Sequence, residues 1–254
     1  MRRWAIMNGT DLEAGGTVWS DHLADATRAG LATEEAVAQA ARRTLRQHFV
    51  AGRFDRGVWA ELGVKDLNSS THQQVQAEAA LQGIVLLKNQ GLLPLSKGSR
   101  IAVIGPMAVD QNLLSDYGGT GGCWPDGDMS CVVTIAEAIT AANTGGAVHT
   151  VNASITEALA AARAAEVVVL TLGNDRTVEH EGIDRPDIPL SSHQTALAEK
   201  VLALQKPTLL ILSNGGAVSI DGLVDGSAAI VESFNPGHNA PQLAALLFGG
   251  VTAA

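Results

Sequence analysis

Between Val167 and Gln194 the chain reads VVVLTLGNDRTVEHEGIDRPDIPLSSHQ. A continuous apolar run, VVVLTL, stops at Gly173, and a loop follows to Leu190 before Ser191 and Ser192 offer a helix cap. A short apolar run without polar alternation marks a strand buried on both faces, the state of a parallel sheet covered by helices. Comparable runs stand at IAVIG from Ile101, AVHTV from Ala147, TLLILS from Thr208 and AAIVES from Ala228. Between them lie alanine-rich stretches opened by Thr134 with Glu137 and by Ser154 with Glu157, the spacing of a capping box. The alternation predicts an α/β fold, an αβα sandwich on a mostly parallel sheet. Ligands of such sheets bind outside the carboxyl ends of the strands. The loop from Gly173 to Leu190 lies there and is long for a connection of this kind.

Upstream, caps and glycine stops predict a helix from about Trp19 to Ala29 and a second from Thr33 to just before Gly52, the latter with Glu34 and Glu35 in its first turn. Ser20 and Asp21 read as an N-cap. Asp11 and Glu13, in NGTDLEAGG, read as fixing a turn through side-chain to backbone hydrogen bonds. Hydrophobic periodicity disappears between Arg53 and Ser70, giving an expected division into residues 1–56, a linker at 57–70 and the sandwich at 71–254. Ser70 and Gln73 open a further helix, expected to run through EAALQGIVLLKN to Gly91.

Of the 254 residues, 46% are hydrophobic and 17% charged, as expected for a well-cored globular protein of one or two domains. A formal net charge of -9, with no run of Lys or Arg, argues against nucleic acid or an anionic membrane as the main partner. Every apolar run falls short of the roughly 18 residues of a membrane span, so the reading is a soluble chain. The start, MRRWAIMNGTDLEAGG, has too short an apolar core for a signal peptide. Two cysteines, Cys123 and Cys131, fit either a disulfide or two thiols, and the compartment stays open.

Glu179, His180, Glu181, Asp184 and Asp187 crowd the loop after VVVLTL. One reading is a solvated acidic loop balanced by Arg176 and Arg185. A metal site is a second, although the helical His spacing of zinc motifs is lacking. General acid/base catalysis is a third, in which a carboxylic acid donates a proton to a leaving group.

The segments AEAALQGIVLLKNQGLLPL, IAVIGPMA, LLSDYGG, VVVLTLGNDRTVEHEGIDRPDIPLSSHQ and VESFNPGHNA occur in the order of the second domain of glycoside hydrolase family 3, which the chain resembles. NGTDLEAGG and GLATEEAVAQAARRTLRQHFVAGRFD resemble the last part of that family's first domain. The resemblance implies a retaining β-glycosidase of the β-xylosidase or β-glucosidase type, with its site between a (β/α)8-type barrel and an αβα sandwich. It implies that Glu181, ahead of Gly182, Asp184 and Arg185, is the acid/base, with Glu179 as the alternative. Tyr117, Asp184 and Arg185 are the implied substrate-binding residues. The implied substrate is a short β-xylo- or β-gluco-oligosaccharide, or an aryl β-glycoside, and no cofactor or metal is implied.

The family's nucleophile, an aspartate in a Ser-Asp motif upstream of NGTDLEAGG, has no counterpart in this reading. Residues 1–56 are too few for a (β/α)8 barrel, which needs roughly 200 residues or more. They read as a helical remnant of an incomplete barrel, and the end LLFGGVTAA reads as a truncated sandwich, so a fragment needing the missing barrel, and inactive alone, is expected. The sequence leaves open whether the parent enzyme is secreted. A non-catalytic carbohydrate-binding or barrel-partnering module is the alternative. A nucleotide-binding sheet is a lesser rival, since IAVIGP is not followed by a glycine-rich phosphate motif. Cys123 and Trp124 could shape a sugar subsite, Asp126-Gly127-Asp128 reads as a plain turn, and His238 as a structural residue before a helix capped at Asn239.

Overall fold

The computed structural model describes residues 2–55, 57, 61–67, 69–111, 129–152 and 154–251. The chain divides into two compact units, Met1–Ser69 and Ser70–Ala254.

The first unit holds α1 (Arg2–Met7), α2 (Val18–Arg28), α3 (Glu34–Val50) and the short α4 (Val64–Leu67), which falls inside the stretch read as a linker. Thr33 caps α3 by accepting from Ala36 N at 3.1 Å. Its small core is Ile6, Ala32 and Ala40, with Trp19, Leu23 and Val37 packed against it. Ser20 and Asp21 are not the cap of α2: Thr17 takes that position, and both residues lie in the helix's first turn. The N–H groups of Val18 and Trp19 are satisfied instead by Glu13, at 3.2 and 2.8 Å. Asp11 does something sequence spacing did not show, pairing with Arg43 through a fork of hydrogen bonds at 2.6 to 2.9 Å. That guanidinium holds the Asp11 carboxyl below the usual carboxylate range.

The second unit follows the order α5 (Ser70–Gly83), β1 (Val85–Asn89), β2 (Ile101–Ile104), α6 (Ile135–Ala142), β3 (Val148–Val151), α7 (Ile155–Ala164), β4 (Val167–Gly173), α8 (Ser192–Leu202), β5 (Thr208–Ser213), β6 (Ala229–Glu232) and α9 (Ala240–Leu247). The sheet runs β1-β6-β5-β4-β2-β3, with every pair parallel except β1 against β6. Side chains alternate across it. Val103, Val169, Ile211 and Val231 face a core shared with α6 and α9, while Ile104, Leu170, Leu210 and Ile230 face a second core shared with α7 and α8. Both faces are therefore dry, which is why β2 and β5 read as unbroken apolar runs. Each fully buried leucine contributes roughly 1.5–3 kcal/mol.

One element differs from expectation. The helix opened at Ser70 stops at Gly83, and VLLKN forms an edge strand that pairs with β6, Val85 facing Glu232 and Asn89 facing Ala229. Leucine and valine suit either state, and the open edge of β6 decides it by offering backbone hydrogen-bond partners. Asn89 ends the strand with an Asx turn, accepting from Gly91 N and Leu93 N at 3.1 Å. At α6, Thr134 and Glu137 form the full capping box, and these bonds hold the Glu137 carboxyl low. At α9, Asn239 occupies the cap position without a side-chain bond. Cys131 is disulfide-bonded, and the chain's other cysteine, Cys123, lies outside the described residues.

Candidate functional site

The strand order reverses between β2, whose chain continues outward to β3, and β4, which continues the other way to β5 and β6. The carboxyl ends of β2 and β4 thus flank a crevice-forming switch point. Tyr117, Cys123, Trp124 and Asp126 to Asp128 lie outside the described residues. The described part of this edge is the loop after β4.

Its base is rigid. Gly173 has φ +152°, and a Cβ there would stand 1.7 Å from Ser213 O, so only glycine lets β4 and β5 end side by side. Gln194, buried in α8, extends the ladder with its side chain: its Oε1 accepts from Gly173 N at 2.9 Å and its Nε2 donates to Gly173 O at 2.8 Å. Ser191 caps the same helix, accepting from Gln194 N at 3.3 Å. Beyond Gly173, Asp175 Oδ1 accepts from Thr177 N at 2.8 Å and from Thr177 Oγ1 at 2.6 Å, turning the chain upward.

The acidic stretch then folds into a two-residue turn. His180 and Ile183 exchange both backbone hydrogen bonds, at 3.2 and 2.9 Å, which leaves Glu181 and Gly182 at the tip. Gly182 has φ +85°, the value the third residue of a type II turn requires. The sequence order Glu-Gly is thereby explained: glycine takes the left-handed position and the glutamate before it is carried outward. Glu181, Gly182, Ile183 and Asp184 are all exposed. The imidazole of His180 is half-buried, with an Nδ1 that has no hydrogen-bond partner.

Below the tip, Glu179 and Arg185 close the turn with an ion pair, Arg185 Nε to Glu179 Oε2 at 2.5 Å. Arg185 is only 11% exposed and its other nitrogens donate to Asp187 O, Ile188 O and Ala217 O at 3.2, 3.4 and 2.7 Å. Its guanidinium is thus spent inside the protein, tying the loop after β4 to the loop after β5. Ser219 N donates to Ile188 O at 2.9 Å along the same seam. Gly216 lies under the pair, where a Cβ would sit 2.7 Å from Glu179 Oε1. Of the two glutamates, Glu179 is therefore bound to an internal cation and Glu181 stands at the exposed tip. Among the described residues, no group of three or more His, Cys, Asp or Glu side chains could hold a metal ion, and no helix is long and apolar enough to cross a membrane.

Sequence reasoning passed over a second polar cluster on this edge. Glu232 ends β6 half-buried, accepting from Phe234 N at 2.9 Å and from Asn214 Nδ2 at 3.4 Å. Burial pushes its carboxyl above the ordinary value, outweighing both hydrogen bonds. Asn214 Nδ2 also donates to Gly216 O at 2.9 Å, linking Glu232 to the seat of the Glu179–Arg185 pair. The available signal was a carboxylate ending the apolar run AAIVES, at the end of a strand where ligands bind.

The sequence model described as "Glycosyl hydrolase family 3 C-terminal domain" matches residues 84–254. Probable beta-D-xylosidase 6 of Arabidopsis thaliana is 33% identical over 260 residues, covering 96% of this chain and 32% of its own length. Beta-D-xylosidase 1 of the same organism is 32% identical, covering 96% of this chain and 33% of its own length. The chain thus spans about a third of the curated relatives it matches. Among solved structures, a GH3 exo-beta-xylosidase (XlnD) in complex with a xylobiose aziridine activity-based probe superposes with TM-score 0.85 at 29% identity, covering 98% of this chain and 33% of that one. A beta-glucosidase from Listeria innocua in complex with isofagomine gives TM-score 0.85 at 24% identity, covering 100% of this chain and 36% of that one, and shows the shared fold.

Proposed function

Because the chain belongs to glycoside hydrolase family 3, we propose that it carries the proton-donating half of a retaining β-glycosidase site, with Glu181 as the acid/base. The observation that carries this reading is the two-residue turn that lifts Glu181 from the carboxyl edge of the sheet while Arg185 retains Glu179. In a retaining mechanism one carboxyl group protonates the departing oxygen while a second, about 5–5.5 Å away, attacks the anomeric carbon; the first then deprotonates the incoming water. Glu181 has the exposure for the first role. The second carboxylate is not Glu179, whose charge is held by Arg185, and the reading assigns it to a barrel segment beyond these 254 residues. Asp184, exposed beside the tip, is the candidate for a substrate hydroxyl, whereas the buried fork of Arg185 positions the turn. The relatives' names favour β-xylosides as substrates.

The test supplies the chain with the barrel half of a family 3 β-xylosidase and measures turnover of xylobiose and of 2,4-dinitrophenyl β-xyloside. The chain alone is expected to give little or no turnover. In the mixture, Glu181→Gln lowers kcat/KM for xylobiose by about 10²–10⁴-fold and kcat/KM for the dinitrophenyl substrate far less, because that leaving group departs without protonation. Glu179→Gln retaining less activity than Glu181→Gln would reverse the assignment. Sugar binding without turnover in the mixture would leave only a binding module.

A further inference from the structure

Phe234, two residues past the end of β6, combines two unfavourable features. It is 46% exposed, and its φ is +52°. Glycine enters that region freely, whereas an L side chain meets the following carbonyl. The other described non-glycine residue at positive φ, Gln205, closes the end of α8, its N–H donating to Leu202 O at 2.9 Å, a common helix-ending geometry. Phe234 ends no helix. Its conformation is imposed by its two predecessors: Phe234 N donates to Glu232 Oε1 at 2.9 Å, and Phe234 O accepts from Ser233 Oγ at 3.1 Å. Ser233 is itself fixed, its hydroxyl within 2.9 Å of Leu212 O and of Ser213 Oγ. A strained residue so over-determined by its surroundings marks a functional position.

The ring belongs to neither core of the sandwich unit. Glycine or asparagine would make the same bend at lower cost, so what this position retains is the aromatic side chain. Its loop reaches the acid-bearing loop through observed contacts. Glu232 meets Asn214, Asn214 donates to Gly216 O, and Gly216 underlies the Glu179–Arg185 pair. Asn235 Nδ2 also lies 3.5 Å from a Cβ built on Gly215. The loops after β4, β5 and β6 therefore meet on one edge of the sheet.

We propose that Phe234 is a sugar-contact residue, its ring offered as a flat apolar platform to the C–H face of a pyranoside at the carboxyl edge of the sheet. The ligand class rests on the glycosidase reading; the prominence of the ring does not. Pyranosides join an apolar C–H face to a polar rim, which suits an exposed aromatic on the sheet edge whose neighbouring loop carries Glu179 and Arg185.

The test uses the 254-residue chain labelled with 4-fluorophenylalanine, whose four phenylalanines give four fluorine resonances. Methyl β-D-xylopyranoside is titrated in while unfolding is followed in parallel. The Phe234 resonance is expected to shift saturably. Phe234→Gly should weaken binding about tenfold, the loss of a modest apolar contact, yet raise Tm by about 2–4 °C through release of strain. Phe234→Tyr should retain binding. A Phe234 resonance that does not respond, or a lower Tm in Phe234→Gly, overturns the proposal. The first result leaves the catalytic reading standing if complemented turnover still depends on Glu181; loss of that dependence with the fluorine shift intact would sink the catalytic reading and spare this one.

Discussion

Replacing Arg185 by alanine tests whether the acidic loop is a clamped structure or a solvated surface. The side chain is 11% exposed and donates to one carboxylate and three backbone carbonyls. Two of these bonds are short, to Glu179 at 2.5 Å and to Ala217 at 2.7 Å, while the other two share one nitrogen at 3.2 and 3.4 Å and are weaker. A hydrogen bond to a charged group contributes roughly 1.5–3 kcal/mol. Glu179, at 35% exposure, recovers part of its hydration once the arginine is gone. The expected loss is about 2–4 kcal/mol, below the upper limit for breaking a fully buried pair. Lysine keeps the charge but not the fork, so Arg185→Lys should lose about half as much. Equilibrium urea denaturation gives the free energies, and a double-mutant cycle with Glu179→Gln should give a coupling of about 1–2 kcal/mol. Amide exchange at Ile183 and Ser219, whose N–H groups close the turn and the seam, should accelerate in Arg185→Ala. A stability within about 0.5 kcal/mol of the parent, as for an ordinary surface arginine, would refute the clamp.

Two further expectations concern stability. Gly182→Ala adds a methyl group that meets nothing within 4 Å and should cost only its left-handed φ, about 1–2 kcal/mol, whereas Gly173→Ala puts the same methyl 1.7 Å from Ser213 O and should cost about 4 kcal/mol or more; equal urea midpoints would contradict both assignments. Burial holds the folded pKa of Glu232 above the ordinary glutamate value, so the folded state holds its proton to higher pH than the unfolded chain. This residue's contribution to stability therefore falls as pH rises from the unfolded pKa through the folded one, and stays unfavourable above it. Glu232→Gln, which cannot ionise, should gain on the parent across that window; a parallel pH dependence of the two proteins would show that the carboxyl is not desolvated.

What could be read from the sequence depended on how local its cause was. The runs at Ile101, Val167 and Thr208 were legible because burial on both faces leaves no polar alternation, and the caps at Thr33, Thr134 and Ser191 because each partner lies three residues on. β1 was not, since its identity depends on β6, well over a hundred residues away. The pairing of Asp11 with Arg43 was hidden for the same reason, whereas the side-chain to backbone bonding expected of Glu13 is present but serves the start of α2 rather than a turn. In the site, both glutamates were visible as candidates. Only the turn separates them, because Gly182 at positive φ brings Arg185 back under Glu179 and leaves Glu181 at the tip.

On the role proposed for Glu181, that separation bears on catalysis through placement. A proton donor must be held within a fraction of an ångström of its productive position, and a free loop from Asn174 to Leu190 could not hold one. The loop is instead divided by fixed points: Gln194 on Gly173 at its start, Arg185 on Ala217 and Ser219 on Ile188 along its return, and buried Leu190 at its end. Between these points the span left to carry Glu181 is a turn closed by two backbone hydrogen bonds. For the donor proposed here, the backbone of the loop that carries it is then ordered on folding, before a substrate arrives.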